Sequence, residues 1–158
     1  MDSILSAFNH EFFLLDSRSR ELLARVGDGK LFVKPRDIRG YMGMFSCGEY
    51  ILRSAAMVEK TFGGITTRLW DDPFEWTLPE KLSDTKSIIC YLNEVEETRK
   101  KGFSFFASDA DLKLEIPSPE KLRPVVGILL DTLAKAEHFQ GRAFAVFQMI
   151  SDHKLPRL

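Results

Sequence analysis

The residue with the clearest capacity for chemistry is His138, in the run Ala134-Lys135-Ala136-Glu137-His138-Phe139-Gln140-Gly141-Arg142. A neutral imidazole can ligate a metal or move a proton. A histidine pair on one helix would need a second imidazole four residues upstream, and that position is Ala134. The other histidines, His10 and His153, have no ligand spacing to it, and neither Cys-x-x-Cys nor His-Glu-x-x-His occurs. A zinc ion needs at least three protein donors, and nickel or iron needs more. Carboxylates such as Glu49 or Glu137 could complete a set around His138, but nothing in the spacing selects them. At helical steps from His138 stand Gly127, Ala134, Gly141 and Ala145, all small. Such a stripe leaves room for a metal, a ligand or a closely packed neighbouring helix around a hydrogen-bonded core histidine. Cys47 is the nearest candidate nucleophile, but no spacing supports a Ser-His-Asp or Cys-His arrangement. Trp70, Phe74 and Trp76 fall in one connection, where they either wall a pocket at the mouth of the fold or anchor the connection.

Four amphipathic helices are expected to position these residues. The first spans about Ser3 to Val26, with Ile4, Phe8, Phe12, Leu15, Leu22 and Val26 on one face. Gly27-Asp28-Gly29 ends it, and Lys30 to Arg39 reads as a crossing loop. The second helix starts at Ile38 or Tyr41 and runs to Thr61, stopped by Gly63-Gly64. A long connection, Ile65 to Lys81, follows. The third spans about Thr85 to Phe105, on the stripe Ile88, Leu92 and Val95, and Arg99-Lys100-Lys101 reads as its solvated end. Leu112, Leu114 and Ile116 alternate as in a short extended piece. The fourth starts at Pro119 or Pro124, where a missing amide hydrogen costs nothing, and runs to about Ser151. One all-α domain over residues 1–158, a four-helix bundle with a long connection between helices 2 and 3, is the expected architecture.

Composition agrees with a globular domain. The chain has 158 residues, 44% hydrophobic and 28% charged, with a net charge of −1, which gives no electrostatic case for nucleic acid or an anionic membrane. Thirteen phenylalanines imply a core of bulky rings or an exposed aromatic surface for a partner. Cys47 and Cys90 each lie in an apolar stretch and read as buried free thiols of a reducing compartment. The N-terminus shows no signal-peptide pattern and no apolar run reaches membrane length, so a cytoplasmic location is expected.

The segment from Leu133 to Met149 resembles the last-helix motif of the DinB/YfiT-like superfamily, with His138 at its second histidine and Gly141 close behind. Ser46-Cys47-Gly48-Glu49-Tyr50-Ile51-Leu52-Arg53-Ser54-Ala55 is similar to that family's second-helix run, and Phe74-Glu75-Trp76-Thr77-Leu78-Pro79 stands before the third helix as in the family. The resemblance implies a divalent metal, nickel or zinc, held by three histidines, one from the second helix and two from the last. It also implies thiol-dependent transferases or isomerases among the relatives. In this chain the implied ligand positions carry Arg53, Ala134 and His138. Arginine has no lone pair to give a metal. Arg53 is therefore expected either to replace the metal's charge, paired by Glu49 or Glu137, or to point to solvent.

The resulting reading is a divergent DinB-like bundle without a cofactor, binding a small ligand or a partner protein. Its candidate pocket comprises Glu49, Tyr50, Arg53, Trp76, Glu137 and His138. The alternatives are a thiol-dependent S-transferase or isomerase using nickel or zinc held by His138 and carboxylates, and a structural homodimer. Nucleic acid and membrane are not expected partners.

Overall fold

The computed structural model describes residues 3–35, 44–73 and 82–157. Helix α1 (Ile4–Val26) is capped by Ser3, whose hydroxyl accepts the Ser6 N–H at 3.0 Å. Asp109 reinforces this end from far along the chain: its two carboxylate oxygens take the Ile4 and Leu5 N–H groups, each at 2.9 Å. Phe8, Phe12, Leu15, Leu22 and Val26 are buried on one face, as their spacing predicts. Gly27, at φ +64°, ends the helix in a conformation that other residues adopt only with strain. The chain then makes a single helical turn, α2 (Asp28–Leu31), where the sequence reads as a crossing loop from Lys30.

Helix α3 (Cys47–Thr67) begins with a capping box, in which Ser46 and Glu49 satisfy each other's backbone N–H groups. The sequence places its start at Ile38 or Tyr41, but residues 36–43 lie outside the described residues. The helix does not stop at Gly63-Gly64. It continues to Thr67 and ends at Arg68, which takes a left-handed conformation at φ 64°. Gly64 instead makes room for a side chain: a Cβ there would stand 2.2–2.5 Å from three ring atoms of Trp70. A tertiary contact thus replaces the terminator role that the local sequence offers.

Helix α4 (Thr85–Phe103) is capped by the Asp84 carboxylate. A 3-10 turn (Asp109–Lys113) follows, then a small antiparallel hairpin of β1 (Glu115–Pro117) and β2 (Leu122–Pro124). Ile116 lies in β1, as the alternation predicts, while Leu112 belongs to the 3-10 turn and is buried. Helix α5 (Val125–Ile150) starts directly after Pro124.

The all-α expectation holds apart from the hairpin. Among the described residues α3 is central: it packs along α5 and α4, and α1 completes the ring against the same two helices. Phe12, Phe62 and Phe103 knit α1, α3 and α4 together, with ring centroids 5.0–6.0 Å apart. Ring pairs of this kind contribute about 0.5–1.5 kcal/mol beyond the area they bury. Cys47 is buried, but Cys90 is exposed. The buried row of α4 is Ile88, Tyr91, Leu92 and Val95, and Cys90 is out of phase with it. No helix among the described residues is long and apolar enough to cross a membrane.

Candidate functional site

Among the described residues, Glu49, Tyr50, Arg53, Glu137 and His138 do not converge on one interior point. His138 is exposed, and its Nε2 accepts a hydrogen bond from Arg142 Nε at 2.9 Å. Ala134 and Gly141 are exposed as well, and Gly127 and Ala145 are half-buried, so the small-residue stripe is not the interior face. The buried row of α5 runs instead through Thr132, Ala136, Gln140, Ala143, Phe144 and Phe147. Glu137 turns to α1 and pairs with Arg18 at 3.1 Å, and burial raises its carboxyl above the ordinary range against that pairing. Glu49 is committed to the capping box through Ser46. Trp76 and Phe74 lie outside the described residues.

Tyr50, Arg53 and His138 are nevertheless linked by a run of ring contacts, from buried Tyr50 to exposed His138. The Arg53 guanidinium sits 4.0 Å from the centre of the Phe45 ring. Phe45 meets Tyr50 edge-on, Tyr50 stacks on Phe139, and Phe139 meets the His138 ring edge-on. A chain of rings thus closes one end of the seam between α3 and α5. The helices run antiparallel there: Thr61 faces Thr132 across a 2.7 Å hydrogen bond, Ser54 donates to the Ala136 carbonyl at 2.8 Å, and Tyr50 lies against Phe139.

Following the same seam toward the other end leads to a cleft of about 290 Å³. Arg53, Met57 and Lys60 stand at helical steps of four and three along α3, and the latter two line it. Asp131, Lys135, His138 and Arg142 form the matching row on α5, and Asp131 and Lys135 line the cleft. Trp70, seated over Gly64, forms an apolar wall with Met57 and Ile128. The Thr61–Thr132 pair lies in the floor, and Thr132 also bonds the Ile128 carbonyl at 2.8 Å. The rim is charged. Lys135 and Arg123 approach one carboxylate, Asp131, at 2.9 and 3.5 Å, and these cations hold it below the ordinary aspartate range. Lys60 lies 3.9 Å from Asp72. Read from the sequence, Trp70 either walls a pocket or anchors its connection, and nothing singles out Lys60, Lys135, Thr61 or Thr132. The helical phase of Lys60 with Arg53 and of Lys135 with His138 was the available signal.

A second polar region lies inside the ring of helices. Gln140 is buried, and its Nε2 donates to the Leu15 carbonyl at 2.6 Å and to Ser19 Oγ at 2.8 Å. Ser19, Ser54, Asp16 and Arg99 border an interior space of about 20 Å³, room for about one water. Arg99 is buried, contrary to the solvated helix end expected of it. It continues the row Ile88, Leu92, Val95, and its Nη1 donates to the Asn9 side chain at 2.6 Å and main chain at 3.1 Å. The Tyr91 hydroxyl donates to Glu59, and burial raises both groups above their ordinary values. Cys47 is buried, and burial pushes its thiol up to about 12, away from the thiolate form a nucleophile needs.

The residues present do not fit the three-histidine metal that the resemblance implies. Arg53 and Ala134 offer no donor atom, and the lone pair of His138 Nε2 is taken by Arg142. Among the described residues no group of three or more histidine, cysteine or acidic side chains is placed to hold an ion.

No protein-family model matches the chain, and no curated protein matches it. Among solved structures it is similar to the crystal structure of a DinB-like protein from Bacillus cereus ATCC 10987. The TM-score is 0.72 at 13% identity, over 96% of this chain and 95% of that one. The chain has a DinB/YfiT-like fold.

Proposed function

We propose that this chain is a metal-free module of DinB-like fold that binds a small molecule in the groove between α3 and α5. One juxtaposition carries the reading: the positions expected to ligate a metal hold an arginine, an alanine and a surface histidine, yet the same seam opens into a cleft of about 290 Å³. Small-molecule sites combine apolar walls with a few polar groups in clefts of about 300–1,000 Å³, and this cleft stands at the lower end of that range. Arg53 supports the reading too, because a fixed cation over Phe45 repels a divalent ion.

Elemental analysis of the protein purified without chelators tests the metal half. Nickel, zinc and iron should each be far below one ion per chain, and His138→Ala should leave the values unchanged. One tightly held ion per chain, lost on His138→Ala, would refute the proposal.

A further inference from the structure

The interior space bordered by α1, α3 and α4 gathers polar groups whose hydrogen bonding is incomplete. Arg99 is only 4% exposed. Its Nη1 is spent on Asn9, but its buried Nε donates to nothing among the described residues. A buried N–H is rarely left so, because its desolvation is then uncompensated. Arg99 borders the space of about 20 Å³ together with Asp16, Ser19 and Ser54. Each of these three keeps one capacity in reserve. The Ser19 hydroxyl accepts from Gln140, while its own hydrogen has no acceptor among the described residues. The Ser54 hydroxyl gives its hydrogen to the Ala136 carbonyl and keeps its lone pairs. Asp16 takes the Arg20 Nε with Oδ2 and leaves Oδ1 for another donor. Glu96, the other acid at the space, is already engaged by Lys100 at 2.9 Å and Arg20 at 3.4 Å. The remaining walls, among them Phe12, Leu15, Val58 and Leu92, are apolar.

The unspent groups are two donors, Arg99 Nε and the Ser19 hydroxyl, and two acceptors, Ser54 Oγ and Asp16 Oδ1. A water molecule accepts two hydrogen bonds and donates two, so the set is its complement. It needs roughly 10–15 Å³ of such volume and two to four polar partners, which makes this space right for one water and too small for two. We infer that a single water molecule is bound inside the bundle between Arg99, Ser19, Ser54 and Asp16, joining α1, α3 and α4 at one point. It completes the hydrogen bonding of an arginine whose burial works against its charge, and so accounts for Arg99 in the inward row of Ile88, Leu92 and Val95. The site is separate from the cleft between α3 and α5 and does not depend on what that cleft binds.

Two measurements on the full chain test it. A crystal structure at a resolution that orders interior waters should show one peak within hydrogen-bonding distance of Arg99 Nε and of at least two of Ser19, Ser54 and Asp16. In solution, magnetic relaxation dispersion of the water oxygen counts long-lived internal waters. Ala55→Val adds two methyl groups at a residue that borders the space, and should reduce that count by one per chain. The variant should also lower the urea midpoint, because displacing the water strands Arg99 Nε. Val58→Ile takes its place if Ala55→Val loses helical circular dichroism. A wild-type crystal structure with no density at this point, or equal counts of long-lived water in the two proteins, overturns the inference. A raised urea midpoint, the result of filling a dry void, also overturns it.

Discussion

Gly64→Ala tests whether the wall of the cleft is built as described. An added Cβ would lie 2.2 Å from the nearest ring atom of Trp70, more than 1 Å short of ordinary contact at 3.4 Å. The obstacle is the fused part of a rigid indole, not the tip of a flexible side chain. Forcing extra volume into such a contact costs about 1–3 kcal/mol. Against this, alanine is better than glycine inside a helix by at most about 1 kcal/mol, and less in the last turn of α3, where position 64 lies. With Trp70 in place the substitution should therefore leave stability unchanged or lower it by up to about 2 kcal/mol. With Trp70→Ala already made, the steric cost disappears and the same substitution should stabilise by up to about 1 kcal/mol. Urea unfolding of the wild type, both single variants and the double variant, followed by far-ultraviolet circular dichroism, yields the coupling directly. Its expected size is about 1–3 kcal/mol, within the usual span for residues in contact. If Gly64→Ala stabilises the protein equally in both backgrounds, Trp70 does not rest on Gly64 and the cleft has no such wall.

Three further outcomes are expected. Gln140→Ala should destabilise by about 2–4 kcal/mol in the same unfolding assay, because it removes a buried side chain and its two hydrogen bonds to α1; a loss below the error of the measurement would mean that Gln140 does not tie α5 to α1. Asp109 has its carboxyl held below the ordinary aspartate value chiefly by the N–H groups of Leu5 and Ile4. Its contribution should be complete above the unfolded aspartate range near 3.8 and fade as pH falls through the lower folded value, so Asp109→Asn should be less stable than the wild type at pH 7 with the gap closing in acid. A gap independent of pH would contradict this. With a chromogenic disulfide reagent at pH 8, exposed Cys90 should react at once, and buried Cys47, its thiol pushed up to about 12, only after unfolding in denaturant; two rapid equivalents in the folded protein would disprove the burial of Cys47.

Helix phase accounts for what the sequence disclosed and for what it concealed. Large apolar residues announce their phase, and the rows on α1 and α4 were readable from Phe8 and Phe12 and from Ile88 and Leu92. The same phase, carried further, marks Arg99 as an inward residue and Cys90 as an outward one, although their chemical types suggest the reverse. Small residues announce nothing, because alanine and glycine are tolerated both inside and outside a helix. The stripe of Gly127, Ala134, Gly141 and Ala145 was therefore a poor guide to the environment of His138. The row that is buried, through Ala136, Gln140 and Ala143, contains two alanines as well. Gly63-Gly64 misleads in a related way: its effect depends on Trp70, whose contact with the helix no local pattern reveals.

The displacement of His138 to the surface bears directly on function. A metal centre would need its imidazole to point into the seam, which would require α5 to rotate and give up the burial of Ala136, Gln140, Ala143 and Phe147. Burying a side chain such as phenylalanine is worth about 1.5–3 kcal/mol, and exposing the row would add the loss of Gln140's hydrogen bonds to α1. The His138–Arg142 hydrogen bond, exposed on the surface, offers no comparable driving force for either orientation. Packing of the helix therefore fixes where the imidazole points. The same packing turns Lys60 and Trp70 on one side and Lys135 on the other toward the cleft.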